Sequence, residues 1–110
     1  MLKKAIFIGL ACLSANSYSG SVLGTQIVEL EFAKSQENWV LIKASGEKLD
    51  CQRTGGWHFS LKTDTDYGKQ MLSVVLAAFA AGKTIDLKGY QTPVCGYADL
   101  EVLDKINVHR

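Results

Sequence analysis

Residues 64–82, DTDYGKQMLSVVLAAFAAG, decide the fold, because they have the spacing of a helix while the segments on either side alternate like strands. Asp64 or Thr65 can cap the first turn, since a short side-chain oxygen at that position accepts a backbone N–H bond. Asp66 adds negative charge to the first turn, and Gly82 stands where many helices end in a left-handed residue. We therefore predict one helix here, with both of its ends marked.

The predicted helix has one face of large apolar side chains and one face of small or polar side chains. The large residues recur at three- and four-residue spacing: Met71, Leu72, Val75, Leu76 and Phe79. The other face carries Lys69, Gln70, Ser73, Ala77, Ala80 and Ala81. We expect the large face to fill one end of a barrel through Met71, Leu72, Val75 and Phe79. A solvent face of good helix formers and a surface for close helix approach both explain the four small residues, Ser73, Ala77, Ala80 and Ala81.

Five strands are predicted around this helix, at residues 22–33, 39–43, 57–62, 84–88 and 100–108. Gly24 suggests a bulge or bend in the first strand. The second strand is nearly all apolar, as expected for a strand covered on both faces. The order β-β-β-α-β-β is that of the OB-fold, a small, partly open barrel. We predict a mainly β, OB-fold-like five-stranded barrel with one helix; an α+β sandwich, with the helix across an antiparallel sheet, is the alternative.

The first nineteen residues, MLKKAIFIGLACLSANSYS, have the three parts of a secretory signal. Lys3 and Lys4 precede an apolar run at 5–13 that is too short to span a bilayer. Small residues permit cleavage after Ser17 or after Ser19, and the sequence does not choose between these sites. The remaining residues, 20–110, are expected to form a single domain that is secreted or periplasmic.

Cys12 offers a lipoprotein alternative, in which it becomes the acylated first residue. Gly9 and Leu10 are not the residues that usually precede such a site, so ordinary cleavage is favoured. Cleavage leaves Cys51 and Cys95 in an oxidising compartment, and we predict that they form one disulfide. A metal site would need more Cys or His at short spacing, so no metal and no cofactor are predicted.

Cleavage also changes the formal net charge from +1 to −1, because Lys3 and Lys4 leave with the signal. No block of like charge remains in the chain. Nucleic acid and anionic membrane surfaces are therefore not expected as partners, and neither is membrane insertion.

Cys51, followed by the Trp57-His58-Phe59 strand, leads into YGKQMLSVVLAAFAAGKTIDL and then to Cys95 in the next loop. In this part the chain resembles the small secreted OB-fold B subunits of bacterial A-B type toxins, of the pertussis-like and subtilase-cytotoxin-like kinds. The resemblance implies a homopentameric ring that binds cell-surface glycans, with the helices lining a central pore, and it raises the prospect of an A subunit as partner. The chain is shorter and has one cysteine pair, so the glycan-binding loops of that family are not transferred residue by residue.

No catalytic motif for hydrolysis or phosphate binding occurs, and we predict that the protein is not an enzyme. Candidate ligand-binding residues lie in the two loops that a disulfide would draw together, and in the strand between them. They are Arg53, His58, Tyr90, Gln91 and Tyr97, with His58 expected on the exposed face opposite Trp57 and Phe59. Aromatic rings beside planar hydrogen-bonding groups suit a shallow carbohydrate site, although ordinary loop polarity also explains them.

Two functions follow from these observations. The first is a secreted or periplasmic binding module that recognises glycans as a ring. The alternative is a monomeric periplasmic OB-fold protein that binds a protein partner. The number of subunits distinguishes them.

Overall fold

The computed structural model describes residues 20–46, 51, 56–90 and 95–110. These residues form six strands and one α-helix: β1 (Ser21–Thr25), β2 (Ile27–Glu31), β3 (Trp39–Ala44), β4 (Phe59–Lys62), α1 (Asp66–Ala81), β5 (Ile85–Gly89) and β6 (Glu101–Val108). Short 3-10 turns occur at Lys34–Gln36 and Tyr97–Asp99. The prediction of a mainly β fold with one helix is confirmed. None of the described helices is long and apolar enough to cross a membrane.

The six strands form one curled, half-barrel sheet in the order β1-β5-β6-β4-β3-β2. Four of the neighbouring pairs are antiparallel, and β4 with β6 is the parallel pair. The strand count and order differ from the five strands predicted, because the structure has four strands before the helix and two after it. The curl of the sheet remains compatible with a barrel.

The extra strand arises because the predicted first strand breaks at Gln26 into β1 and β2. Gly24 has a φ of +60°, a conformation that favours glycine, and the register of β1 against β5 shifts between Val22 and Thr25. The bend predicted from Gly24 is thus confirmed. Gln26 is fixed at the break, because its backbone oxygen accepts from Ser45 N at 3.0 Å and its Nε2 donates to Gly82 O at 2.8 Å.

Both ends of α1 follow the sequence signals. Thr65, and not Asp64, is the N-cap, and its Oγ1 accepts the backbone N–H of Gly68 at 2.9 Å. Gly82 ends the helix in the left-handed conformation, with φ 62° and ψ 33°. Its N–H donates to Phe79 O, and Lys83 N donates to Ala78 O, so two carbonyls of the last turn are satisfied.

The buried face of α1 differs from the predicted one. It consists of Gly68, Met71, Val75 and Ala78, with Leu72 partly buried beside it. Phe79 and Leu76 are each 41% exposed, so the expectation that Phe79 fills the core was wrong. Ala78 takes the buried position in the last turns, and successive residues of a helix point about 100° apart, so Phe79 projects toward solvent.

The main core lies between α1 and the concave face of the sheet. Its members are buried: Val22, Ile27, Ile42, Ala44, Phe59, Leu61, Met71, Val75, Ala78, Ile85, Leu87 and Leu103. Leu41, Cys51 and Leu100 are equally buried but lie outside this cluster. Leu41 alternates with Ile42 along β3, so it faces the outer side of the sheet. The outer side of β3 is therefore partly covered as well.

Candidate functional site

The disulfide between Cys51 and Cys95 is present, with an S–S distance of 2.04 Å and a Cα–Cα distance of 5.5 Å. It joins segments 44 residues apart in the chain, one following β3 and one preceding β6. Cys51 is 1% exposed, so the bridge is anchored in the protein. This confirms the predicted pairing, and it is consistent with a location outside the reducing cytosol.

The most distinctive surface near this bridge is what we call the outer face of β3, made of Trp39, Lys43, Trp57 and Tyr97. Trp39, Leu41 and Lys43 occupy alternate positions of β3 and so point to the same side of the sheet. Leu41 is buried in the middle, while Trp39 and Lys43 at the two ends are half-buried. Each end carries an aromatic contact.

At the first end, the rings of Trp39 and Tyr97 stack in parallel, with centroids 4.7 Å apart and planes within 5°. Tyr97 belongs to the segment that follows Cys95, so the disulfide holds one partner of this stack near the sheet. The stack therefore joins the first residue of β3 to the disulfide-linked loop.

The backbone of that loop is held in an uncommon conformation. Ala98 and Asp99 both have a φ of +60°, which is unfavourable for residues other than glycine. Three backbone hydrogen bonds hold the turn: Gly96 N to Leu100 O at 2.8 Å, Asp99 N to Gly96 O at 3.0 Å and Leu100 N to Tyr97 O at 3.2 Å. The position of the Tyr97 ring is thus determined by a well-bonded turn.

At the other end of the outer face, Lys43 Nζ lies 4.8 Å from the centroid of the Trp57 ring. Such a contact between a cation and an aromatic face is favourable. The same Nζ pairs with Glu29 Oε1 of β2 at 3.3 Å. Lys43 is therefore neutralised locally, and the outer face of β3 has no unpaired positive charge among these four residues and Glu29.

His58 is not on the exposed face that the alternation predicted. It is 3% exposed, its backbone N donates to Ile42 O at 3.0 Å, and its Nδ1 accepts from Ala44 N at 3.3 Å. Ser60, on the outer side of β4, is also fully buried, whereas Lys62 on the same side is exposed. β4 begins at Phe59, so the predicted alternation does not extend back to Trp57 and His58. His58 thus has a structural position rather than one open to a ligand.

The remaining predicted ligand residues are distributed around the same loops. Tyr90 is 45% exposed, and its backbone N donates to Val102 O at 2.9 Å. Gly96 packs so tightly on Val102 that a Cβ there would lie 2.2 Å from Val102 Cγ2. Tyr90 and the turn containing Tyr97 are therefore brought together beside Val102 of β6. Arg53 and Gln91 lie outside the described residues.

Trp39, Lys43 and Trp57 were not selected as site residues from the sequence. Trp39 and Lys43 were assigned to a strand covered on both faces, and Trp57 was placed on the side opposite the exposed face expected for His58. The signal that could have found them is the alternation of Trp39, Leu41 and Lys43, which puts two amphipathic side chains on one side of the strand.

A second exposed apolar surface lies on α1. On one flank of the helix, Leu72, Leu76 and Phe79 recur at i, i+4 and i+7, and the last two protrude. The other flank has an open groove of about 410 Å³, lined by Ser73, Val74, Ala77, Ala81, Lys83 and Val108. The predicted small residues Ser73, Ala77, Ala80 and Ala81 are all exposed, as a contact surface or a solvent face would require.

Asp86 of β5 joins its own strand to β1 and to the residues that follow β6. Its Oδ1 accepts from Gly24 N at 2.8 Å, and its Oδ2 lies 2.9 Å from His109 Nε2. The bond from Gly24 and then the bond from His109 hold the pKa of Asp86 below its ordinary value. Among the described residues, no group of three or more His, Cys, Asp or Glu side chains could hold a metal ion.

No protein-family model matches this chain, and neither a curated protein nor a solved structure is similar enough to count as a match.

Proposed function

We propose that the protein is a non-enzymatic, secreted or periplasmic carbohydrate-binding module that assembles with copies of itself as a ring. The observation that carries the binding part is the parallel stack of Trp39 and Tyr97 on the outer face of β3. Both rings are half-buried, so they are held in place while part of each remains open to solvent. An amphipathic aromatic platform of this kind suits the apolar face of a sugar ring, and polar neighbours can bond its hydroxyls.

The proposed fold is a five-stranded barrel of the OB type, in which β1 and β2 act as two halves of one bent strand. Only Gln26 separates them, and they border opposite ends of the strand order, β1 beside β5 and β2 beside β3. Counted as one strand, they would connect these two ends. The sheet would then be closed through this bent strand, with β4 and β6 as its parallel pair. OB-folds bind oligosaccharides or oligonucleotides on the face of their second and third strands, which correspond here to β3 and β4.

Local charge favours a neutral carbohydrate over a nucleic acid. Proteins that bind single strands combine aromatic platforms with a positive groove. On the outer face of β3, Lys43 is paired with Glu29 at 3.3 Å. Lys62, which is opposite Trp39 in the sheet, has Asp64 at 4.0 Å. Both lysines near the aromatic side chains are therefore paired with acids. This pairing weakens the attraction that a negatively charged phosphate backbone would need.

The occupant proposed for the groove on α1 is the protruding flank of α1 in a second copy. Leu76 and Phe79 project from one flank, and the other flank is lined by small residues with Val74 and Val108. Because the projecting and receiving surfaces lie on different sides of one helix, each copy would contact two neighbours. Such a head-to-tail contact generates a ring when the rotation closes. A pentamer is the number that the resemblance to toxin B subunits implies, with an A subunit as a further partner.

The binding proposal is tested by a glycan array with the mature protein, followed by titration of any sugar that binds. Trp39→Ala and Tyr97→Ala are expected to weaken binding at least tenfold, because each removes half of the platform. Tyr67→Phe is the matched control: it keeps an exposed ring on α1, loses only the Oη bond to Asp104 O, and should bind unchanged. Equal binding by all four proteins would contradict the proposed site.

Two further variants test the loop residues predicted from the sequence. Tyr90→Ala and Arg53→Ala weaken binding if the site extends across both loops. If they leave affinity unchanged while Trp39→Ala abolishes it, the site is confined to the outer face of β3. A protein that binds no glycan and is monomeric would favour the alternative, a periplasmic protein that binds a protein partner.

A further inference from the structure

Glu101, the first residue of β6, is a buried carboxylate with one unusual partner. It is 3% exposed, and its Oε1 accepts a hydrogen bond from the backbone N of Gly20 at 3.0 Å. Its Oε2 is buried and has no hydrogen-bond partner among the described residues. None of the ion pairs between described side chains includes Glu101. Burying a carboxylate with one oxygen unsatisfied and no counter-charge is costly, so this arrangement requires an explanation.

The surroundings are built to hold both Gly20 and the carboxylate. Gly20 O accepts from Gly89 N at 2.9 Å, which fixes Gly20 against the end of β5. A Cβ on Gly89 would lie 2.8 Å from Glu101 Oε1 and 3.0 Å from Glu101 Cβ. Glycine at position 89 therefore leaves the space that the Glu101 side chain occupies beside Gly20.

We propose that the signal is cleaved between Ser19 and Gly20, and that Glu101 is the receptor for the new amino terminus. Signal peptidase would add one water across the Ser19–Gly20 peptide bond, leaving a carboxylate on Ser19 and an ammonium on Gly20. The ammonium has a positive charge and three N–H donors, where the uncut chain has a single neutral N–H. It supplies the counter-charge that Glu101 lacks and the donors that Oε2 needs.

This inference decides between the two cleavage sites that the sequence leaves open. Cleavage after Ser17 would leave Tyr18 and Ser19 ahead of Gly20, whose N would remain a neutral amide. Only cleavage after Ser19 creates the charge at the atom that is 3.0 Å from Glu101 Oε1. Removal of the signal would then create the ion pair that holds Gly20 at the start of β1. The inference depends on export and processing, and it is independent of what the protein binds.

The cleavage site is tested by exporting the full chain from a bacterial host and determining the intact mass and N-terminal sequence of the purified protein. A chain that begins at Gly20 is the expected result. A chain that begins at Tyr18, retains the signal or is acylated at Cys12 would overturn the proposal.

The ion pair is tested separately with chains released from a carrier by cleavage immediately before Gly20 or before Ser19. Each is prepared with Glu101 and with Glu101→Gln, and urea unfolding gives four equilibrium constants. We expect Glu101→Gln to increase the unfolding constant by about tenfold more in the chain that begins at Gly20, because only that chain has the charged pair. Equal effects in both chains would overturn the pairing.

A control variant and a direct comparison of the two original chains complete this test. Glu29→Gln removes a carboxylate that pairs with Lys43 on the sheet surface, so its effect should be the same for both starting residues. If Glu101→Gln does not fold, the two chains with Glu101 are compared directly. The chain that begins at Ser19 is then expected to have the larger unfolding constant, by about tenfold, and equal constants would overturn the proposal.

Discussion

Gly68, at the start of α1, shows how a single contact decides the effect of a substitution. Helix propensity alone predicts that Gly68→Ala would stabilise the protein by about 1 kcal/mol. A Cβ at this buried position, however, would lie 1.9 Å from Lys62 O and 3.0 Å from Thr65 Oγ1. Lys62 O belongs to the backbone of β4 and cannot move without displacing the strand.

We therefore predict that Gly68→Ala lowers the free energy of unfolding by about 1–3 kcal/mol or more, as measured by urea denaturation. Gln70→Ala is the matched control on the exposed side of the same helix, with an expected change within about 0.5 kcal/mol. A more stable Gly68→Ala protein would show that the helix does not approach β4 as described.

Asp86 provides a pH-dependent contribution to stability. Its pKa in the folded protein lies below the ordinary value, first because of the bond from Gly24 N and then because of His109. The contribution is therefore fully present above about pH 4, where Asp is ionised even in the unfolded chain, and is lost as the pH falls through the lower folded pKa.

We predict that Asp86→Asn has a lower urea midpoint than the original protein at pH 6, and that the difference decreases steadily below pH 4. Urea titrations between pH 2 and pH 6 measure this. Asp64→Asn, which changes an exposed acid that is 4.0 Å from Lys62, is the control and should show little such dependence. A difference that increases towards low pH would contradict the sign of the shift.

At the scale of elements, the disulfide links the segment that follows β3 to the segment that precedes β6. Cys51 and Cys95 close a loop of 44 residues, for which the chain-entropy model gives about 4 kcal/mol. We predict that replacing both cysteines by alanine lowers the free energy of unfolding by roughly this amount. Urea unfolding of the double variant tests this, with reduced original protein as the comparison; a change below about 1 kcal/mol for both would contradict it.

The positions of the secondary-structure elements could be predicted from the sequence better than their pairing and burial. The helix, its end at Gly82 and the disulfide could be predicted because each depends on local spacing or on the pairing of two cysteines. The division of the first strand could not, because each half pairs with a different neighbour, β5 or β3, and Gly24 signals only a bend. Local alternation could not predict that His58 is buried, because His58 precedes β4 and its ring accepts a hydrogen bond from Ala44 N of β3.

The candidate site was only partly predictable for the same reason. Tyr90 and Tyr97 were selected because they flank Cys95, and both lie beside β6 in the structure. The stack on Trp39 joins residues 58 positions apart, and no periodicity within either segment indicates it. Phe79 was assigned to the core because its spacing fits the apolar face, but Ala78 takes that place.

At the scale of the whole molecule, the two flanks of α1 are expected to form the contact between copies. Ala77→Lys places a long charged side chain in the groove, and Phe79→Lys removes a projecting ring from the other flank. Each is predicted to reduce the number of subunits while the monomer remains folded, because both positions are exposed. Lys69→Ala, elsewhere on the exposed helix surface, is the control and should leave assembly unchanged. Analytical ultracentrifugation with circular dichroism distinguishes lost assembly from lost folding.

The most direct test of the proposed ring is a native mass spectrum of the mature protein from an exporting host. We expect a closed assembly of more than two subunits, five if the resemblance to toxin B subunits extends to assembly, and we expect Ala77→Lys and Phe79→Lys both to dissociate it. A monomer at micromolar concentration, unchanged by either substitution, would contradict assembly through α1.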